Sequence, residues 1–342
     1  MMHTKENVLG NLLIADTTSV QRKKMFEEAY KLTFACHGAL DDFTIQQMKK
    51  FICGERELAE VEQNIYHKYS AYGEYERDDM PLWDNNLAIY NKKILRRLHA
   101  AIATIGIMRL DASPAVTMDM KYYMHIHKSL YGGLYAWAGE LRTIDMEKYV
   151  DPLQCTYRFT RAAHIQRGLS DIFTRTERLI DRITIDGSLC TVFERIGIQE
   201  WNRMDDREKT ARLVSSIGNM WRIHPFLHGN MLTELYFIVR LCSQIGIPCN
   251  RSVLGEYADG NRLEQCMILA YYDPNGLGRI VYRAVSECKY QEEKKMQSGN
   301  QQGKYRWVQI EEMIADRKRK IAEEEMLKLR DACLRVDECG DD

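Results

Sequence analysis

Apolar positions along this chain recur mostly at helical spacing rather than in alternation, and only six prolines interrupt them, so the fold expected is mainly α. A first pattern carries Met25, Phe26, Ala29, Leu32, Thr33 and Cys36. It breaks over residues 38–43. A second begins at Thr44, read as the capping residue, and passes Met48, Phe51 and Ile52 to a stop at Gly54. Residues 70–84 are polar, punctuated by Tyr and Gly, and read as a surface connection. Helical patterning returns over 85–108, breaks at Asp111-Ala112-Ser113-Pro114, and returns over 118–134. Further helices are expected over 161–185, 192–196, 208–223, 230–245, 260–271 and 277–289.

One stretch departs from this period. Residues 140–146, Glu-Leu-Arg-Thr-Ile-Asp-Met, alternate polar and apolar with β-branched residues near the centre, which predicts a short strand or hairpin. At the far end, 291–304 is polar, and 307–336 is a charged helix with a broken apolar stripe (Trp307, Ile310, Ile314, Ile321, Met326, Leu329). Such a helix either lies solvated on the core or binds a partner. No internal repeat is visible.

Composition narrows the classes. A net charge of −1 over 342 residues supplies no field that would draw the chain to nucleic acid. Ten cysteines are scattered without CxxC or Cys/His spacing, so neither a zinc site nor a disulfide framework is expected. No metal-ligating set is read from the sequence. The N-terminus lacks the charged start and apolar run of a signal peptide. No uninterrupted apolar stretch reaches the roughly 18 residues of a membrane span. The expected location is cytoplasmic, without membrane association.

The most informative segment is Ile223-His224-Pro225-Phe226-Leu227-His228-Gly229-Asn230-Met231-Leu232-Thr233-Glu234-Leu235. Helical periodicity stops at Pro225 and restarts just after Gly229. A glycine turn that opens onto a helix presents free N–H groups and the positive end of the helix dipole, an arrangement suited to anions. A histidine beside it, with an ordinary pKa of about 6.5, is suited to general-base work. A helix–turn–helix with one histidine is also what a packed core histidine looks like.

This segment resembles the Fic motif, written HxFx(D/E)GNGRxxR. It keeps His224, Phe226, Gly229 and Asn230, with Pro225 as well. A second region, from His127 through Tyr131, Gly132, Tyr135, Trp137-Ala138-Gly139-Glu140 to Arg142-Thr143, is similar to the helix and flap entry of Fic domains. Residues 263–285 resemble the closing helices. A fainter likeness, over residues 29–62 with Thr33, His37 and Gly38, is to the antitoxin domain of Fic toxins and its inhibitory pattern (S/T)xxxE(G/N). The resemblance implies a Fic-type helical bundle with a short β-hairpin flap. The implied organisation is an antitoxin-like segment over 1–70, a linker over 71–94, the Fic domain over 95–289, and a polar linker with the charged helix over 290–342.

It also implies chemistry: transfer of AMP from ATP, with magnesium, onto a protein hydroxyl. His224 would be the base, and Phe226, His228, Gly229 and Asn230 would form the nucleotide site. A protein target would lie along a flap at Thr143, Ile144, Asp145 and Met146, and Thr33, His37 and Gly38 would form the inhibitory segment. The departures are severe. The acid that holds magnesium is His228, the two arginines are Leu232 and Leu235, the second glycine is Met231, and the inhibitory glutamate is His37. Magnesium prefers hard oxygen ligands, and leucine cannot neutralise a triphosphate. Arg158, Arg161 and Arg222 are cations that could stand in. Two classes stay open at this point: an adenylyltransferase with a degraded site, and a non-catalytic module that binds nucleotide or protein.

Overall fold

The computed structural model describes residues 14–71, 84–113, 118–150, 155–184, 188–190, 195–197, 203–205, 208–209, 220–244, 248–258 and 280–287. Its helices are α1 (Ser19–His37), α2 (Asp42–Ile52), α3 (Leu58–Ser70), α4 (Lys92–Ala112), α5 (Met120–Tyr131), α6 (Ile165–Thr184), α7 (Met220–Ile223), α8 (Asn230–Gln244) and α9 (Arg251–Ala258). A hairpin, β1 (Glu147–Val150) with β2 (Cys155–Arg158), follows α5, and a smaller one, β3 (Ser188–Cys190) with β4 (Arg195–Gly197), follows α6. Residues 280–287 are helical. The chain divides into two compact units, Met1–Glu292 and Glu293–Asp342, and every described residue lies in the first. The helix expected over 260–271, most of 208–219, and the charged tail over 307–336 lie outside the described residues.

The bundle is organised around α4. Every residue from Leu98 to Leu110 is buried, so this helix has no solvent face and must be wrapped on all sides. Residues such as Ala100, Ala101 and Ala103 keep it slim, and Gly106 brings α5 closest: a Cβ there would lie 2.6 Å from the Ser129 carbonyl oxygen. Helix α1 covers another side and also packs against α8 and α9. Its predicted stripe is the face that packs, with Phe26, Ala29, Leu32 and Thr33 all at 0% exposure. Burying Phe26 and Leu32 contributes about 1.5–3 kcal/mol each. Two buried or half-buried ion pairs cross this core. Arg109 holds Glu62 through two bonds of 3.0 and 2.5 Å, and Arg251 holds Asp111 at 2.6 and 2.8 Å.

Several boundaries differ from the pattern-based expectation, each for a local reason. Helix α2 is capped by Asp41, whose carboxylate accepts from the Thr44 N–H at 2.9 Å, while Thr44 is buried inside the first turn. Helix α4 starts at Lys92 rather than 85. Asn85 Oδ1 accepts from the N–H groups of Leu87 and Ile89 and closes a loop first, and Asn91 then caps the helix through Ile94. Residues 140–146 alternate but form no strand. Pairing begins only at Glu147, opposite Arg158; of the helix expected over 192–196, residues 195 and 196 belong to strand β4 and the rest lie outside the described residues. Among the described residues, no helix is long and apolar enough to cross a membrane.

Candidate functional site

The motif is a tight corner between α7 and α8. His224 directly follows α7 with φ +46°, in the left-handed region that side chains avoid. Gly229, at φ +78°, makes the second reversal. Asn230 closes the corner from within: its Oδ1 accepts from the Phe226 N–H at 2.9 Å and its Nδ2 donates to the Phe226 carbonyl at 2.8 Å. Phe226, fully buried, stacks on His127 with ring centroids 3.8 Å apart. The sequence-matched residues are therefore brought together, and two of them, Phe226 and Asn230, hold the corner's own shape.

His224 sits in an aromatic slot. Its ring stacks on Phe159 at 3.9 Å and meets Trp221 edge-on at 5.1 Å. Nδ1 is buried with no hydrogen-bond partner among the described residues. Burial, then the charges of Arg142 and Lys148 and the neighbouring His228, hold its pKa well below the ordinary value. The imidazole is neutral at neutral pH. It can accept a proton only weakly while it stays in this slot.

Where the resemblance placed magnesium and phosphate, the structure places rings. His228 stacks on His99 at 4.8 Å, and its Nε2 is buried without a partner among the described residues. Burial and the Lys148 charge lower its pKa to about 4. Tyr131 lies directly over the Gly229 turn, since a Cβ on Gly229 would come within 2.3 Å of its ring. Tyr131 is hydrogen-bonded to His37 Nε2 at 2.9 Å, and Tyr135 to His99 Nε2 at 2.7 Å. Leu232 and Leu235 are 1% and 0% exposed. No group of three or more His, Cys, Asp or Glu side chains among the described residues is arranged to hold a metal ion. This donor set does not fit magnesium, and buried leucines offer a triphosphate nothing to bind.

The N-terminal helix closes the corner. His37 is the last residue of α1; Gly38, at φ +84°, caps it by donating its N–H to the Phe34 carbonyl. The Thr33 hydroxyl meets Thr104 of α4 at 2.7 Å. His37 therefore meets Tyr131 and His99, and burial followed by His228 and Arg96 holds its pKa at about 3. Thr33, His37 and Gly38 are thus placed where α1 docks onto the bundle.

Two residues quoted from the sequence only as part of a pattern turn out to organise the site. Arg142, 3% exposed, donates Nε to the His224 carbonyl at 2.7 Å, Nη1 to Ile144 at 2.5 Å, and Nη2 to Thr160 and Ile223 at 2.5 and 3.2 Å. Its own N–H donates to the Pro225 carbonyl at 2.8 Å. His127 accepts from the Gly139 N–H on Nδ1 at 2.8 Å, so its Nε2 carries the proton and donates to the His228 carbonyl, also at 2.8 Å. The flap candidates Thr143, Ile144 and Asp145 are exposed and Met146 is half-buried. Asp145 accepts from the Ala162 N–H at 2.7 Å, which ties this segment to the start of α6.

No family model matches the chain. The chain is 27% identical over 164 residues to the protein adenylyltransferase VbhT of Bartonella schoenbuchensis; the match spans 47% of this chain and 29% of that protein. Among solved structures, the N-terminal FIC domain of Bep8 from Bartonella sp. 1-1C superposes at a TM-score of 0.47 and 18% identity, over 63% of this chain and 93% of that one. The N-terminal Fic domain of a cell filamentation protein from Bartonella quintana gives 0.47 and 18%, over 66% and 97%. BepC from Bartonella tribocorum, solved with bound AMPPNP, gives 0.45 and 15%, over 61% and 95%.

Proposed function

We propose that this chain, a Fic-family protein, is built on the plan of the protein adenylyltransferases but does not run magnesium-dependent AMP transfer with its motif in the form described. It is a non-catalytic Fic protein that keeps the flap region for holding a protein segment. One observation carries this reading: the ring of His228, at the position of the metal-holding acid, is stacked on His99. The likeness to an adenylyltransferase supports AMP transfer as the ancestral kind of chemistry. Helix α1 then acts as the closing element, with a contact between His37 and Tyr131 where an acid–arginine pair would have stood.

A second reading has one observation in its favour. The motif histidine is kept, and the Nδ1 of His224 is not used by any hydrogen bond among the described residues. In an opened form that nitrogen could take the proton of a target hydroxyl. Incubating the full chain with labelled nucleotides and candidate protein acceptors, beside His224→Ala, separates the two. The first reading expects no label above background with or without magnesium. Transfer that disappears in His224→Ala establishes the second.

A further inference from the structure

A pocket of about 450 Å³ opens between the end of the flap hairpin, the start of α6 and the helix α7 that leads into the motif. Three arginines line it, Arg158, Arg161 and Arg222, with His164 beside them. Among the described residues that line it, Asp171 is the one carboxylate. The floor is apolar, made by Phe159, Ile172 and Ile223, and all three are buried. None of the corner residues 226–232 takes part, so this pocket is separate from the nucleotide site that the family motif describes.

We infer that this pocket binds a small phosphate-bearing molecule, with the phosphate held by Arg158, Arg161 and Arg222 and an organic body resting on the apolar floor. The backbone that carries the arginines is fixed in advance. Thr160 donates its N–H to the Arg222 carbonyl at 3.0 Å and its hydroxyl to the same oxygen at 3.3 Å. Phe159 donates to Met146 at 3.1 Å, and Arg142 holds the Thr160 carbonyl at 2.5 Å. Gly168 lets α6 approach until a Cβ would lie 3.0 Å from Ile223. Two elements that arrive from distant parts of the sequence are thus locked side by side with their arginines around one space.

The chemistry of the lining selects phosphate. Guanidinium groups present planar forks of donors that match phosphate oxygens. Arg158 also reaches Glu147 across the hairpin at 3.4 Å, with side chains 85% and 60% exposed; an ion pair so exposed contributes little and yields readily to a better partner. The volume lies in the range of small-molecule sites, roughly 300–1,000 Å³, and exceeds what an inorganic phosphate fills. The apolar floor accounts for the remainder.

Isothermal titration of the full chain without magnesium tests this, with AMP, ADP, ATP, pyrophosphate and inorganic phosphate as probes. The comparison variant is Arg158→Gln with Arg161→Gln; both side chains are exposed, and an unchanged thermal midpoint checks that the variant is folded. At least one probe should bind at 1:1, weaken tenfold or more in the variant, and weaken as salt is raised. Nucleotides at least tenfold tighter than pyrophosphate identify an organic phosphate as the ligand, whereas equal affinity identifies an inorganic anion held by the same arginines. Hydrogen exchange should show protection at 158–172 and 220–223. The inference is overturned if no probe binds at millimolar concentration, if the variant binds as well as the parent, or if protection appears at 226–232 instead.

Discussion

Arg142 donates from Nε to the main-chain carbonyl of His224 at 2.7 Å, and so ties the flap entry to the histidine that opens the motif. The side chain ends among carbonyls, with Ile144, Thr160 and Ile223 as its other acceptors. The positive φ of His224 is held from outside by this contact and by the Arg142 N–H on Pro225. A guanidinium is the one side chain that can serve four divergent oxygens from a single position.

Arg142→Leu should therefore be severely destabilising, because it takes the donor from one buried carbonyl, Ile223, and three part-buried ones, at about 1–3 kcal/mol for each that water cannot reach. Denaturant unfolding is expected to show a loss of about 3 kcal/mol or more. Arg142→Lys, with three donors on a flexible stem, should recover only part of this. A loss under about 1 kcal/mol for Arg142→Leu would mean that the network is not what holds the corner.

The corner was legible in the sequence to an unequal degree, for physical reasons. The turn itself was readable, since Pro225, Gly229 and Asn230 act within a few residues of one another. So was the buried face of α1, which follows from its period alone. The roles of His99, His127 and Arg142 were not. Each acts on backbone or rings brought in from far along the chain, and a histidine or arginine inside a helical or polar pattern gives no sign of it. The strand misplaced onto 140–146 has the same origin: local alternation is outweighed by Arg142, whose guanidinium takes the Ile144 carbonyl together with those of Thr160, Ile223 and His224 from elsewhere in the chain. Asp41 rather than Thr44 caps α2 because both residue types can cap and the Asp41 carboxylate accepts from the Thr44 N–H.

The buried histidines predict how stability depends on pH. His37 and His127 are held at about 3, His228 at about 4, and His99 and His224 well below the ordinary value, in every case chiefly by burial. In the unfolded chain these groups titrate near 6.5. Below that pH the unfolded state takes up protons that the folded state refuses, so stability is complete above about 6.5 and is lost as pH falls towards 4. Each such histidine adds a slope of up to about 1.4 kcal/mol per pH unit. The urea midpoint should drop steeply between pH 7 and 5, and His37→Phe should make the drop shallower by about one proton. A midpoint that is flat over this interval would contradict the burial of the cluster.

Rebuilding the family's arginines should fail. Leu232 and Leu235 are both buried against the core. Leu232→Arg with Leu235→Arg puts two charges into apolar surroundings, at a cost of several kcal/mol. Adding His228→Glu does not help, since that position is packed on His99. The expected result for the triple variant is a lowered thermal midpoint and no magnesium-dependent gain in ATP affinity by calorimetry. A gain in affinity with the fold intact would show that α1 lifts readily and that the site opens.

Gly229 offers the sharpest test of the closed corner. Its φ of +78° strains any residue with a Cβ, at about 1–2 kcal/mol, and the same Cβ would strike the Tyr131 ring at 2.3 Å. Gly229→Ala should thus cost more than the backbone term alone, because Tyr131 is fully buried and fixed by its hydrogen bond to His37. Tyr131→Leu removes the struck atoms while keeping an apolar filler, at its own packing cost. In the double variant the clash is gone and only the backbone strain and the packing loss remain. A double-mutant cycle should therefore give a favourable coupling of about 1 kcal/mol or more between the two positions. If the two losses simply add, Tyr131 does not lie over the turn in solution, and the occupation of the motif by the protein's own rings is not its resting state.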